Sequence, residues 1–260
     1  MRVALGLSYR GQAYEGWQSQ RGGRTVQDRL EAALAKFADQ PLRTACAGRT
    51  DAGVHALNQV VHVDTEIARE PFSWVRGTNR FLPPDIAVQW AQVMPEEFHA
   101  RYSAIGRRYV YILLDSPVRP AIEAGSAGWS LRPLDGDRMQ QAAQRLLGEH
   151  DFSAFRSAEC QANTPVKTLR SIDISRRGAY WRVEFDANAF LHHMVRNLMG
   201  CLVPIGAGVR SADWLSEVLA ARDRHRAGPT FSPDGLYFAG PYYDEVHAIP
   251  QRTAAMDWLP

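Results

Sequence analysis

Alternating apolar and polar positions over residues 2–9 predict an opening strand. Helical spacing follows, because Thr25 and Asp28 form a capping pattern ahead of an amphipathic segment that runs through Phe37. Its inward positions are all apolar: Val26, Leu30, Ala33, Leu34 and Phe37. Further strands are predicted over residues 42–47, 59–64 and 86–93. A short helix from about Ser73 is expected to end before Pro83 and Pro84.

The second half of the chain repeats this order of strands and helices. Strands are predicted over 108–114, 169–176, 180–186 and 236–243, and helices over 135–147, 191–203 and 213–221. Gly148 is a suitable stop for the first of these helices. Two rounds of the pattern predict an α+β protein with two pseudo-symmetric halves of mostly antiparallel sheet, residues 1–103 and 104–260. Residues 116–129 read as an exposed loop, and 222–233 as polar, turn-rich and mobile.

Composition restricts the class of protein. Apolar residues make up 45% of the chain and charged residues 22%, which is typical of a globular protein. The least polar run, 198–209, contains Pro204 and is shorter than the roughly 18 residues of a membrane span. The first residues do not resemble a signal peptide. Three separated cysteines without CxxC spacing indicate reduced thiols, so we expect a soluble cytoplasmic protein without a membrane partner.

Charge adds a weaker signal through the kind of basic residue present. The formal net charge is only +2, yet Lys36 and Lys167 are the only lysines among 30 basic residues. Arginine suits phosphate contact and base stacking, although compositional bias of the source genome explains the same count. Arginines and aromatic residues interleave in Arg101-Tyr102 and again over residues 107–111. That pattern suits neutralisation of an RNA backbone together with base stacking.

The segment GRTDAGVHA, residues 48–56, carries the strongest chemical signal. Asp51 lies between Gly48 and Gly53, which permit tight backbone geometry. Arg49 would keep the carboxylate ionised if the two side chains meet. An oriented carboxylate suits nucleophilic or acid–base chemistry. The alternative is an ordinary surface turn in which Asp51 caps the segment that follows.

Several other chemistries lack sequence support. No phosphate-binding glycine loop is present, which argues against common ATPase and dehydrogenase sites, and the cysteines lack a nucleophile signature. His192 and His193 invite a metal interpretation. As neighbours in the predicted helix they would point about 100° apart, which argues against a shared ion. We therefore predict no metal and no cofactor.

Two further residues complete a candidate nucleobase site. Tyr109 opens an aromatic strand and could stack on a base, although a core or interface aromatic is the alternative. Arg196 follows an apolar turn and could hold the Asp51 carboxylate, although a solvated helix face is the alternative. A carboxylate, a stacking ring and a second arginine together form a coherent site for a nucleobase.

The chain resembles the tRNA pseudouridine synthase A family nearly end to end. The motifs that carry the resemblance occur in family order: SYRGQAYEGWQSQ, CAGRTDAGVHALNQVVH, NRFLPPDIAV, FHARYSAIGRRYVYIL, LLGEHDFSAFR, NAFLHHMVRNLMG and GLYFAGPYY. GRTDAGVHA and FLHHMVRN are the most specific. The resemblance implies a pseudouridine synthase fold with a central RNA-binding cleft. It also implies isomerisation of uridines 38, 39 and 40 in the anticodon stem-loop of tRNA.

The resemblance also implies roles for the candidate residues. Asp51 is expected to be the catalytic nucleophile, Tyr109 to contact the target base and Arg49 to occupy its place after base flipping. Arg196 is expected to pair with Asp51, and the enzyme to be a homodimer that needs no cofactor. Attack at C1′, attack at C6 and a glycal route all remain open. A non-catalytic RNA-binding protein and a nucleobase glycosylase or transglycosylase are the competing functions.

Overall fold

The computed structural model describes residues 1–250 of the chain, which form two compact units. Among the described residues, the first comprises Met1–Arg107 and residues 237–250, and the second comprises Arg108–Leu236. Both contain mostly antiparallel strands with helices, so the predicted α+β class is confirmed. The closing strand belongs to the first unit, whereas the sequence-based division assigned it to the second half. The folding domains themselves, 1–103 and 104–260, stay a prediction.

Ten strands and five α-helices are present in the described residues. The strands are β1 (Arg2–Tyr9), β2 (Ala45–Cys46), β3 (His55–Asp64), β4 (Ile86–Met94), β5 (Ala104–Asp115), β6 (Gly128–Ser130), β7 (Gly148–Asp151), β8 (Val166–Arg177), β9 (Tyr180–Ala187) and β10 (Leu236–Tyr243). The helices are α1 (Val26–Ala38), α2 (Pro71–Asn79), α3 (Gly136–Gln144), α4 (Met194–Gly206) and α5 (Ala212–Ala221). The predicted bounds of β1 and β10 are confirmed.

The strands of the first unit lie in the order β4-β1-β3-β10, and the short β2 pairs with β3. All of these pairs are antiparallel except β3 with β10, in which Tyr237 lies opposite His55. Strand β3 is buried along nearly its whole length. A strand buried on both faces holds its end residues firmly, and the loop that contains Asp51 leads directly into β3.

Helix α1 begins as the sequence predicts. The Thr25 side chain accepts a hydrogen bond from Asp28 N, and the Asp28 carboxylate accepts one from Thr25 N, which forms a complete capping box. Val26, Leu30, Ala33 and Leu34 are buried, as predicted. Phe37 is only half-buried and packs edge-on against Trp74, with 5.2 Å between the ring centroids.

The second unit contains strands in the order β5-β9-β8-β7, with the short β6 parallel to β5. Helices α3, α4 and α5 contact one another, and α3 also packs against β8. The core between these elements is fully buried: Met139, Phe152, Phe155, Val183, Phe185, Leu198 and Leu202. The packing gives β5 and α4, which carry Tyr109 and Arg196, a rigid support within this unit.

Some predicted bounds were wrong for identifiable reasons. The strand expected over 42–47 is reduced to Ala45–Cys46, because the Glu31 carboxylate accepts hydrogen bonds from Thr44 N and Thr44 Oγ1. Helix α3 ends at Gln144 rather than residue 147. The next three amides bond to carbonyls three residues back, which tightens the final turn. Gly148, at φ 95°, then begins β7.

Among residues 1–250, none of the helices combines the length and the apolar character needed to cross a lipid bilayer.

Candidate active site

Asp51 lies in the loop that connects β2 to β3, in the first unit. Its carbonyl oxygen accepts a hydrogen bond of 3.1 Å from Val54 N, which closes a turn around Gly53. Gly53 has φ 82°, a conformation that side chains other than glycine rarely adopt. The Asp51 residue is half-buried. The local sequence therefore shapes the turn that the glycine pattern predicts.

The opening motif of the chain supports this loop from its other side. Trp17 N donates to Thr50 O at 2.9 Å, and Gly53 N donates to Tyr14 O at 3.4 Å. Gly16 has φ 86°, and a Cβ atom there would lie 2.7 Å from Thr50 O. The chain therefore approaches the Asp51 loop so closely that only glycine fits at position 16.

Side chains of the neighbouring strands β1 and β3 form hydrogen bonds to the Asp51 loop. The buried Tyr9 hydroxyl and Thr50 Oγ1 are 2.8 Å apart. Burial raises the pKa of the Tyr9 hydroxyl far above its usual range, which keeps it neutral. Gln59 Nε2 donates to Gly48 O at 2.5 Å, and Gly48 N donates to Gln59 Oε1 at 3.3 Å. The residues that precede Asp51 are thus held by two side chains: Tyr9 of β1 bonds to the Thr50 hydroxyl, and Gln59 of β3 bonds to the Gly48 backbone.

His55 supports the end of the same loop. Its Nδ1 accepts a hydrogen bond of 3.1 Å from Gly11 N, and its ring stacks on Tyr237 with 4.7 Å between centroids. A nitrogen that accepts this bond is unprotonated, so His55 is the tautomer with its proton on Nε2. Sequence reasoning missed His55, Tyr9 and Gln59, because their contacts join segments that are far apart in the chain.

Arg49 is an exposed residue of the same loop, two positions before Asp51. The expected role of Arg49 in replacing the flipped base stays a prediction. The same holds for the role of Asp51 as nucleophile.

Tyr109 lies on β5 in the second unit and is half-buried. Its ring packs edge-on against Phe190, with 5.0 Å between centroids and 83° between the ring planes. Phe190 belongs to the FLHHMVRN motif region, four residues before α4 begins. The contact orients the tyrosine ring within its unit, and its proposed contact with the target base stays a prediction.

Arg196 lies in the first turn of α4 and is half-buried. Its Nε donates to Phe231 O at 2.8 Å, while Phe231 N donates to Arg196 O at 3.1 Å. The Phe231 ring in turn packs edge-on against Tyr111 at 5.7 Å. The guanidinium is therefore held by the backbone of a loop, which a solvated helix face would not require. Its predicted pairing with Asp51 stays a prediction.

The buried Asn197 connects the same loop to the core. Its Nδ2 donates to Phe155 O at 2.8 Å, and its Oδ1 accepts bonds from Thr230 Oγ1 at 2.7 Å and Arg224 Nη2 at 3.0 Å. Arg224 Nη1 also donates to Gly228 O at 2.8 Å. Residues 222–233 were expected to be mobile. Instead, side chains from α4 and from within the loop hold this segment in place.

The prediction that the side chains of His192 and His193 diverge as neighbours in a helix was wrong. Both residues precede α4, which begins at Met194, and His193 has φ 63°. Their ring centroids are 4.1 Å apart, so they do not diverge as neighbours within a helix would. The left-handed conformation of His193 also explains why α4 starts three residues later than predicted, because it interrupts helical backbone geometry.

Comparison with known proteins identifies relatives of the whole chain. The family model described as tRNA pseudouridine synthase matches residues 7–103 and 142–244. The chain is 73% identical over its full length to the full length of tRNA pseudouridine synthase A of Methylibium petroleiphilum. It is 67% identical, again over both full lengths, to tRNA pseudouridine synthase A of Polaromonas naphthalenivorans.

Similarity to a solved structure from another complex is distant. A chain from a Cbf5-Nop10-Gar1 complex aligns with 86% of this chain and 60% of its own length, at 12% identity and a TM-score of 0.35. That similarity is too low to support conclusions about this site.

Proposed function

Because the chain belongs to the tRNA pseudouridine synthase family, we propose that Asp51 is the nucleophile with which it isomerises uridine in the anticodon stem-loop of tRNA. Conversion of uridine to pseudouridine in tRNA is the activity named for its full-length relatives. The proposal adds the nucleophile, the location in the stem-loop and positions 38, 39 and 40. One structural observation supports it most directly: the loop that carries Asp51 is held by contacts from residues 14–17, from Tyr9 of β1 and from Gln59 of β3.

The reaction requires few components. It breaks the N1–C1′ glycosidic bond, turns the uracil and joins C5 to C1′. A proton leaves C5 and N1 takes up a proton. No electrons are transferred to an external acceptor, so a carboxylate, a proton acceptor and a pocket for detached uracil suffice. In the proposal Asp51 attacks either C1′ or C6, or removes a proton from C2′ on the way to a glycal. A carboxylate on a fixed loop suits each of these steps, since little reorganisation is needed.

The other predicted residues act on the RNA in this proposal. Tyr109 stacks on the target base and assists removal of the C5 proton. Arg49 fills the space left by the flipped base, and Arg196 keeps the Asp51 carboxylate ionised. Extraction of a paired base costs a few kcal/mol, which arginine contacts to phosphate offset. Action at three adjacent positions implies recognition of RNA shape and backbone rather than a fixed base sequence.

The assembly and location of the enzyme follow from the same proposal. We expect a homodimer that binds tRNA with both subunits, and we expect it to act in the cytoplasm.

The decisive experiment follows tritium release from tRNA labelled at C5 of uridine. The label passes to water only when C5 becomes the glycosidic carbon. We expect release by the unmodified protein without any added cofactor, and no release by Asp51→Asn. Asp39→Asn is the matched control, because Asp39 is exposed and ends α1 in a left-handed conformation that asparagine also adopts. Release by Asp51→Asn at the unmodified rate would contradict the assignment of the nucleophile.

The products separate this function from its competitors. Pseudouridine within intact tRNA supports the isomerase, whereas free uracil identifies a glycosylase or transglycosylase. Salt-sensitive tRNA binding without either product would identify an RNA-binding protein that lacks the activity.

A further inference from the structure

The turn over His99–Ser103 presents an aromatic ring and a guanidinium to solvent. Tyr102 is 76% exposed, more than most large apolar or aromatic side chains of the chain. The Arg101 guanidinium carbon lies 5.6 Å from the centre of the Tyr102 ring, and the centre of the His99 ring lies 4.3 Å from it. The sequence singled out Arg101-Tyr102 as a basic–aromatic pair suited to RNA, and the function proposed above assigns it no role.

Side chains of the turn itself form hydrogen bonds to the backbone that carries this ring. His99 Nδ1 accepts hydrogen bonds from Arg101 N at 3.1 Å and Tyr102 N at 3.3 Å. Ser103 Oγ accepts a bond of 2.9 Å from His99 N, and Ser103 N donates to His99 O. Burial lowers the pKa of His99, which keeps Nδ1 available as an acceptor. An exposed ring on a rigid turn loses little conformational entropy when a ligand binds.

The centre of the turn is anchored in the core. Ala100 is fully buried, and its N–H donates to His62 Nδ1 at 3.2 Å. Its carbonyl accepts a bond of 2.6 Å from the Tyr243 hydroxyl. Desolvation lowers the pKa of His62 to about 4, so this acceptor is neutral at physiological pH. The exposed pair Arg101 and Tyr102 therefore stands on a buried support rather than on a flexible loop.

One arginine joins this turn to the loop that carries Asp51. Arg107 Nη2 donates to Arg101 O at 2.6 Å and to Ala47 O at 3.2 Å. Ala47 immediately precedes Gly48, the first residue of GRTDAGVHA. Burial raises the pKa of the Cys46 thiol to about 11, and the nearby guanidinium groups of Arg49 and Arg101 lower it in part. Both guanidinium groups therefore lie near the end of β2, from which the Asp51 loop continues.

We propose that Arg101 and Tyr102 form a stacking platform that holds an unpaired base of the tRNA substrate beside the Asp51 loop. This inference rests on the proposed function. The ring supplies a face on which any base can stack, and the adjacent guanidinium neutralises phosphate. Arg49 extends the positive charge along the same side. The stacked base, which is not the target base, would thereby fix the position of the RNA relative to Asp51. Its identity would not matter, because any base can stack.

RNA fits this surface better than a protein partner does. The Tyr102 ring lies beside the Arg101 guanidinium and the His99 ring, so the groups that border it are charged or polar. A protein interface would instead centre on a contiguous apolar patch that excludes water. Aromatic rings beside guanidinium groups are the usual arrangement for binding the bases of single-stranded nucleic acid.

Affinity for tRNA tests the platform. Binding is measured in Asp51→Asn protein, so that the RNA stays unreacted, with Tyr102→Ala, Tyr102→Trp and Phe72→Ala added separately. We expect Tyr102→Ala to raise the Kd about 5- to 150-fold, which corresponds to the loss of one stacked base, and Tyr102→Trp to stay within about threefold. Phe72 is a matched control, because it is 66% exposed on α2 of the same unit. An unchanged Kd for Tyr102→Ala would overturn the inference.

A second readout reports stacking itself. Anticodon stem-loops that carry 2-aminopurine at single unpaired positions are mixed with the protein, and quenching of the probe is recorded. We expect the Asp51→Asn protein to quench 2-aminopurine at one position. The protein that carries both Asp51→Asn and Tyr102→Ala should leave that position unquenched. We also expect Arg101→Ala to lower the slope of log affinity against log salt by about one. No quenched position that depends on Tyr102 would contradict the platform.

Two controls distinguish an RNA platform from a protein contact and from a failure of the proposed function. The mass of each variant in solution is measured by sedimentation. A Tyr102→Ala protein with an oligomeric state different from that of the unmodified protein would identify the surface as a contact with a second copy of the chain. That result would overturn the platform. Tritium release by the protein with Asp51 intact tests the proposed function separately. If release occurs and Tyr102→Ala binds tRNA normally, only the platform fails. If release never occurs yet binding depends on Tyr102, only the isomerase assignment fails.

Discussion

Gly16 shows how a single residue outside the Asp51 loop controls its shape. The position combines a left-handed backbone, φ 86°, with a distance of only 2.7 Å between Thr50 O and the place that a Cβ atom would occupy. The glycine lies far from Asp51 in the sequence, and no local pattern connects the two. The opening motif SYRGQAYEGWQSQ therefore has a structural role at the site, because it packs against the Asp51 loop.

Gly16→Ala is expected to damage the site more than an ordinary glycine substitution does. The left-handed backbone alone costs about 1–2 kcal/mol for alanine, and the contact with Thr50 O adds to it. Gly23→Ala is the matched control, because Gly23 has φ 64° but no atom within 4 Å of its Cβ position. The free energies of unfolding from urea titration and the rates of tritium release are compared. Equal losses in both variants would show that the contact with Thr50 is unimportant.

At the scale of elements, the start of α4 and the loop over residues 222–233 depend on each other. Arg196 and Asn197, both in the first turns of α4, bond to Phe231 and Thr230. Gly200 also brings the two backbones together, since a Cβ there would lie 1.9 Å from the Pro229 carbonyl oxygen. The polar composition of the loop suggested mobility. Its partners Arg196 and Asn197 lie in α4, so the local sequence pattern does not reveal these hydrogen bonds.

Arg224→Ala is expected to release this loop. The substitution removes hydrogen bonds to Gly228 O, Thr230 Oγ1 and the buried Asn197 Oδ1, at a cost of about 1–3 kcal/mol. Amide hydrogen exchange over residues 224–233 should accelerate, while exchange in β8 and β9 stays unchanged. Arg226→Ala is the control, because Arg226 is an exposed arginine of the same short turn. Similar acceleration in both variants would contradict the anchoring role of Arg224.

Element bounds were predictable where the signal is local. The capping box of α1, the alternation of β1 and the apolar run of β10 are properties of adjacent residues. They predicted the correct start of α1 and the correct bounds of β1 and β10. The start of α4 was not predictable, because it depends on the left-handed conformation of His193. The strand over 42–47 was also shortened by a carboxylate from α1, which competes for a backbone donor.

At the scale of the whole molecule, a buried histidine gives stability a dependence on pH. His62 lies 6% exposed in the first unit, and desolvation lowers its pKa to about 4, with Arg2 and His99 acting in the same direction and Asp64 against them. The ordinary value is about 6.5. The unfolded chain therefore binds more protons than the folded one between these values. The resulting stability is complete above about pH 6.5 and is lost as the pH falls towards about 4.

The expected loss of unfolding free energy is up to about 1.4 kcal/mol for each pH unit below about 6.5 from His62 alone. Urea titrations at about pH 7.5 and about pH 5 measure it. His62→Asn is the informative variant, because the asparagine oxygen can accept the hydrogen bond from Ala100 N but does not titrate. Its stability should change less with pH than that of the unmodified protein. An identical pH dependence would show that other groups are responsible.

The sequence by itself determined the α+β class, most of the strands and helices, the Asp51 loop and the family to which the chain belongs. These follow from local periodicity, from glycine and capping chemistry, and from motifs that are contiguous in the chain. The tertiary structure alone decided what holds each site residue in place. Tyr9, Gly16 and Gln59 reach the Asp51 loop from distant positions, and Phe231 reaches Arg196. Such contacts arise only when the core brings remote segments together, so no local pattern encodes them.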